Sequence, residues 1–338
     1  VALTADSSAA ILATVVAVSV ALGGGIAGVA VSIGVAIARN LIGYDAGDGT
    51  AADHVVSTGL TGGATIVTGD TVLVDEGPLS GKVFQYVGTP AVSSYAGVDF
   101  TDPTLWREVR TRNAAQVRAY LLDTSVDATG ALTLQATGRQ TIAAIVVAGS
   151  AAVAGGVVGV GGAGAGASTE NRIAVDVAAF IAGDGVAGID DIITASAVSL
   201  AATDTSTIKV DVGAVAIAGG VGGVAGAVSI AVALATNTID DHVEAFVSDA
   251  SVEAEAGALT VSAIEAASIE SLTVAAAISA AIGAISLTIS GAGAIAENVI
   301  LSAVRSYAAD ADLGATGAVA VTAGNTARIL ATIAVLSA

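Results

Sequence analysis

GAVAIAGGVGGVAGAVSIAVALATNT, residues Gly213–Thr238, carries no charge and no aromatic ring, and its reading decides the fold. Its length suits a membrane-spanning helix, which needs about 20 apolar residues. Its periodicity does not. Val228, Ile230, Val232 and Leu234 alternate with Ala227, Ser229, Ala231 and Ala233. That is the two-residue period of a β-strand, bulky side chains on one face and small ones on the other. The six glycines from Gly213 to Gly226 would also cost a helix roughly 5 kcal/mol relative to alanine. The run therefore reads as two apolar strands around a bend at Gly219-Gly220 and Gly222-Gly223.

Comparable uncharged runs cover Ser7 to Ala38, Gln140 to Thr169, Val212 to Ile239 and Ser271 to Ala296, and a fifth begins after Arg328. Each is broken by glycine near its middle, at Gly23-Gly24-Gly25, at Gly155-Gly156 and at Gly283 in the other units. Glycine there permits a tight corner, whether of a hairpin or of a solenoid. Short strand-like segments at Ala131–Leu134, Val198–Leu200, Ala258–Val261 and Ala318–Val321 start 67, 60 and 60 residues apart. Tyr120, Phe180, Phe246 and Tyr307 repeat independently at 60, 66 and 61. Asparagine precedes three of these rings by nine residues, as Asn171, Asn237 and Asn298. Asn40 is the first-unit counterpart, and Tyr120 lies 80 residues on, so about 71 residues are inserted between Ile42 and Ala115.

The expected fold is all-β: stacked repeats of about 60 residues forming a parallel β-solenoid-like fibre, with one small inserted β domain. The divisions expected are 1–42 and 115–130 for the first repeat and 43–114 for the insertion. Further repeats occupy 131–197, 198–257 and 258–317, and 318–338 begins another. Each repeat should hold two long apolar strands, a polar strand ending at the aromatic, and two short connecting strands. Like strands would pair at about 4.8 Å, with a second sheet over the other face. Asn40, Asn171, Asn237 and Asn298, and Tyr120, Phe180, Phe246 and Tyr307, would then form ladders; the alternative is that each ring seals its own repeat. Val1–Val20 matches Val319–Ala338 at 10 of 20 positions, so the chain is expected to be a window on a longer array, its partners being adjacent repeats or copies of itself, end to end.

Composition narrows function. The 338 residues carry a net charge of −19, 42 glycines and no cysteine. Such acidity argues against nucleic acid and against anionic lipid headgroups. Absence of cysteine removes thiol redox chemistry and thiolate metal sites. The uncharged runs lack the Trp/Tyr belts and asymmetric Lys/Arg flanks of membrane helices, so a membrane-inserted protein ranks behind the alternatives. The only histidines, His54 and His242, fall in different units, and no metalloprotease, nucleophile-elbow or phosphate-loop motif occurs. GGAGAGAS from Gly161 lacks the lysine of a phosphate loop. No enzymatic activity and no required cofactor are expected.

Acidic residues gather near the repeat ends, as Asp184, Asp190 and Asp191; Asp240 and Asp241; and Asp310 and Asp312. In a stack, like charges would meet at strand spacing unless screened or bridged, and Ca²⁺ is the bridge that oxygen ligands suit. Asp45 and Asp48 beside Gly47 and Gly49 are a further calcium candidate. The competing reading is a solvated acidic edge.

From Gly43 to about Ala114 the chemistry changes: all three prolines, the single tryptophan and six of the ten aromatics lie here. GDTVLVDEGPLSGKVFQYVG followed by VDFTDPTLWREV resembles the inserted modules of very large secreted bacterial repeat proteins. Through Gly69, Asp70, Val72, Tyr86, Pro103 and Trp106 it is also loosely similar to small chitin-binding modules, though the leading tryptophan of that pattern is missing. That second likeness implies polysaccharide as a partner, with Tyr86, Tyr95 and Trp106 as contacts. Against it, Phe84, Tyr86, Phe100 and Trp106 are the aromatics such a small domain needs for a core. The repeats themselves, with alternating Val/Ala/Gly strands and an N-x-[IV]…A-[FY]…D turn, resemble those of giant secreted filamentous-haemagglutinin-like bacterial proteins. This resemblance implies an extracellular or cell-surface location and a role as scaffold or adhesin.

Overall fold

The computed structural model describes residues 1–44, 52–60, 65–74, 79, 82–89, 91–95, 98–102, 104–109, 114–184 and 192–338. No α-helix occurs among them. The chain divides into two compact units, Val1–Ile42 with Ala114–Ala338, and Gly43–Asn113.

The larger unit is a parallel β-solenoid. Its first coil is β1 (Ala2–Ser7), β2 (Ala10–Gly23), β3 (Ala27–Ile42), then, after the insertion, β8 (Ala115–Leu122) and β9 (Val126–Ala128). The second is β10 (Leu132–Gly138), β11 (Thr141–Gly155), β12 (Val158–Ala182) and β13 (Ile192–Ala195). The third is β14 (Val198–Asp204), β15 (Thr207–Val221), β16 (Val224–Ser248) and β17 (Ser251–Ala254). The fourth is β18 (Leu259–Glu265), β19 (Ser268–Ile282), β20 (Ile285–Ala309) and β21 (Asp312–Ala315), followed by β22 (Val319–Asn325) and β23 (Arg328–Ser337). Like strands pair in parallel into four sheets, ordered β1-β10-β14-β18-β22, β2-β11-β15-β19-β23, β3-β12-β16-β20 with β8 also on β12, and β9-β13-β17-β21. The strands on either side of each glycine bend belong to different sheets, so the bend is a solenoid corner and not a hairpin. The expected polar strand is not separate: it continues the second apolar strand, and β12, β16 and β20 each run 25 residues unbroken. Ile42 pairs with Ile173 and Ala115 with Val175, so the insertion interrupts a single strand of the first coil opposite Ala174.

Strand parity sorts the side chains, and each coil has two different interiors. At the wide end the inward positions are large: Leu132, Leu200 and Leu259 on the first sheet face Ile173, Val177, Ile239 and Val243 on the third, all buried. Burying each such side chain contributes roughly 1.5–3 kcal/mol. Towards the bend the inward positions shrink to Ala214, Ala216 and Ala218 on β15 and Ala225, Ala227, Ser229, Ala231 and Ala233 on β16. There the two backbones nearly touch: a Cβ on Gly34 would overlap Gly149 O, and one on Gly161 would overlap Gly219 O. The coil thus tapers from a filled core into a thin two-sheet blade, whose bulky residues have no room inside and point outward.

In the smaller unit, β4 (His54–Val55), β5 (Thr71–Val74), β6 (Lys82–Tyr86) and β7 (Trp106–Val109) form one sheet in that order. Its β5–β6 pair is antiparallel, as the turn sequence between them suggests. Ile66, Val72, Val74, Phe84, Tyr86 and Trp106 form its core.

Candidate functional site

Three arrangements are built by the register rather than by any one loop. The first is the asparagine ladder. Asn40, Asn171, Asn237 and Asn298 share one register position of the third sheet, on the inward face. The Asn40 Nδ2–H donates to Asn171 Oδ1 at 2.7 Å, Asn171 to Asn237 at 2.8 Å, and Asn237 to Asn298 at 2.7 Å. An amide can both donate and accept along the stacking axis, so each added coil satisfies the one before it.

The second is the aromatic stack. Nine residues is an odd step, so the rings stand on the opposite, outer face of the same strand. Tyr120–Phe180, Phe180–Phe246 and Phe246–Tyr307 have centroids 5.0, 4.8 and 5.0 Å apart, with interplanar angles of 6°, 2° and 2°. The rings therefore form a ladder and do not seal separate repeats. Phe246→Ala, which removes two stacked contacts and half-buried area, is expected to lower unfolding stability by about 2 kcal/mol, read as a fall in the denaturant midpoint at unchanged slope.

The third was missed in the sequence. Where each first-sheet strand turns into the second, one register position runs Ser7, Gly138, Asp204, Glu265, Asn325. Asp204, Asp241 and Glu265 are all fully buried there. Asp204 accepts the Ser206 N–H at 2.9 Å and the Ser206 hydroxyl at 3.1 Å. Asp241 Oδ1 accepts the Val175 N–H at 2.9 Å, and Glu265 accepts from Ser302 and, at 3.2 Å, from Asn325 Nδ2. In the second coil the neutral Gln140 serves the same corner, accepting the Ala9 N–H at 2.7 Å and donating to Ser7 Oγ at 3.0 Å. Desolvation first, then the neighbouring Asp204 charge, push the Asp241 carboxyl up to about 9. Desolvation raises Asp204 and Glu265 as well. Asp241 Oδ2 has no partner as a bare carboxylate oxygen, and a raised Asp241 beside a raised Asp204 is the arrangement in which two carboxyls can hold a proton between them. The signal was parity: Asp204 ends the buried series Val198, Leu200, Ala202, and Asp241 follows the buried Asn237 and Ile239. An acid at an inward position is a cluster member, not part of a solvated edge.

The other candidates do not converge. Asp240 and Asp241, adjacent in sequence, point to opposite faces of β16, and Asp240 pairs in register with Ala174 and Leu301 rather than with another acid. Asp312 pairs with Ser251. Asp310, with Asp123 and Asp249, has a positive φ of 48–50°, a left-handed backbone that aspartate adopts more readily than most residues. The recurrent acid three residues after the ring is thus a corner residue. Asp184 lies in the loop after β12, and Asp45, Asp48, Asp190 and Asp191 lie outside the described residues. Among the described residues no three His, Asp or Glu side chains gather as a metal site. His54 Nε2 lies 3.3 Å from Asp70 Oδ2, and His242 Nδ1 lies 3.4 Å from Asp176 Oδ1, in separate places.

In the inserted unit Tyr86 and Trp106 are 2% and 3% exposed with centroids 4.9 Å apart, and Phe100 packs against Trp106 at 4.7 Å, tilted by 52°. Neither ring offers a face to a sugar. Tyr95, the third contact that the chitin-module likeness implies, packs on this core with its hydroxyl buried. Pro103 lies outside the described residues. Compared with family profiles, curated proteins and solved structures, the chain matches none.

Proposed function

We propose that the solenoid is a structural segment of an extended extracellular or cell-surface fibre, a scaffold or adhesive stalk in which coils continue end to end. The observation that carries this reading is the ladder geometry. Asn171 and Asn237 each donate to one neighbouring coil and accept from the other, so the pattern has no natural limit and gains from every coil added. Chemistry centred on a cavity finds no support in the carboxyl cluster, whose three acids are sealed inside. The fibre reading is tested by electron microscopy and fibre diffraction of the native assembly. Protease-resistant filaments with a meridional spacing of about 4.8 Å are expected, and a compact, monodisperse monomer would overturn it.

A further inference from the structure

The blade leaves its bulkiest residues outside. On β15 the outward positions towards the bend include Val215, Ile217 and Val221; on β16 they include Val224, Ile230 and Leu234. Even in this central coil, covered by a neighbour on each side, Ile217 is 44% and Ile230 55% exposed. Both outer faces are apolar, up to and around the bend. Contiguous apolar surface on this scale marks a place that something covers.

We propose that the blade inserts into the hydrocarbon region of a lipid bilayer, strands along the membrane normal and solenoid axis in the membrane plane. Four observations select lipid over a second copy of the chain. First, the apolar zone has the right height and a defined limit. From the bend it extends over Val224–Leu234 on the third sheet, stopping at the register row Arg39, Glu170, Thr236 and Glu297, and over Gly213–Val221 on the second, stopping at Asp211. At about 3.3 Å per residue these are ~36 Å and ~30 Å of strand, enough to cross a hydrocarbon core of about 30 Å. Second, the limiting row carries the ion pair Arg39–Glu170 at 2.9 Å, and Arg172, two residues on, pairs with the same Glu170 at 2.7 Å, which suits the headgroup depth. Third, the apolar surface wraps both faces and the edge between them. A second copy docked on one face leaves the other wet, whereas a bilayer covers both. Fourth, away from its edge strands β2, β3, β20 and β23, the blade meets the condition hydrocarbon imposes, that backbone polar groups be satisfied within the protein. Its inner coils are laddered residue by residue on both sides. Buried hydroxyls nearer the bend are paired as well, Ser32 with Ser19 at 2.9 Å, Ser150 with Ser32 O at 2.7 Å, and Ser229 with Ser279 at 2.8 Å, whereas Ser271 and Thr273, farther from it on β19, are buried without a partner.

Insertion by strands needs no apolar helix, and none long enough to cross a membrane occurs among the described residues. It draws on the outer faces, whereas end-to-end assembly draws on the coil edges; the two meet at the end coils, whose open strand edges a further coil covers.

The test is flotation of the full chain with neutral phosphatidylcholine vesicles, chosen so that the chain's net charge of −19 is neither attracted nor repelled. The chain is expected to float with a β-type circular dichroism spectrum, and polarised infrared absorption should place its strands along the normal. Ile217→Glu with Ile230→Glu, one on each outer face, should cut the floated fraction at least tenfold while spectrum and denaturant midpoint stay unchanged. Ile217→Gln with Ile230→Gln provides the same reading should the glutamates disturb folding. Wild-type chain that stays at the bottom of the gradient would overturn the proposal, as would equal flotation of a folded variant. Lateral association without lipid, abolished by the same substitutions while vesicles bind nothing, would assign the faces to a second copy instead.

Discussion

Gly161→Val is expected to lower unfolding stability by about 3–5 kcal/mol, whereas Gly166→Val, five residues on in the same strand, should leave it unchanged or raise it by about 0.5 kcal/mol. The two glycines differ only in which face they occupy. Gly161 points inward, and a Cβ there would overlap the Gly219 carbonyl of the facing sheet and press on Ala152 O. Those are backbone atoms, with no rotamer to move aside, so the sheets must part and loosen the alanine contacts on either side. Gly166 points outward with nothing within 4 Å of its would-be Cβ, and its register neighbours are Val35 and Val232. Valine there completes a row of branched side chains and removes the backbone freedom of a glycine from the unfolded chain. Denaturant midpoints of the two variants check the pair. Equal losses at both positions would mean that strand glycines matter here for flexibility and not for the close approach of the sheets.

The same large/small alternation made most of the fold legible. It marked Val228–Leu234 as strand, and the spacing of the asparagines and rings set the register that the ladders follow at Asn237 and Phe246. The break between Ile42 and Ala115 was visible because the insertion disturbs a period that everything around it keeps. What alternation alone does not encode is which face is inside. In most sheets the bulky row is the buried one, yet here the glycines at 34 and 161 admit a second sheet only on the small-residue side, and the bulky row is turned out. Nor does it reveal that the polar segment continues the apolar strand, since a strand crossing from blade to wide end changes surroundings without changing backbone. Acids near the repeat ends looked alike in sequence. Their roles separate only with parity and backbone angle: Asp241 inside, Asp240 outside, Asp249 and Asp310 at left-handed corners.

Asp241→Asn is expected to make the fold more stable at pH 8 and to flatten its dependence on pH. A carboxyl whose folded value is raised adds stability that is fully present below the unfolded value, about 3.9, and is lost as pH rises through the folded value. For Asp241 that window runs from about 4 to about 9. Across it, each pH unit costs the wild-type fold about 1.4 kcal/mol, because the unfolded chain releases a proton that the folded chain retains. Every group facing the site acts in the same sense or is neutral: Asp204 and Glu265 are themselves raised by burial, and Ser206 and Ser302 are neutral donors. Asparagine preserves the geometry without the titration. Its carbonyl accepts the Val175 N–H, and its amide can donate to Asp204 where a proton held between the two carboxyls would stand. Wild type should thus be markedly more stable at pH 5 than at pH 8, the reverse of the usual acid lability, and the variant should show a much smaller difference. Denaturant midpoints at the two pH values decide it, and parallel profiles for the two chains would mean that Asp241 is ionised in the fold and that the cluster shares no proton.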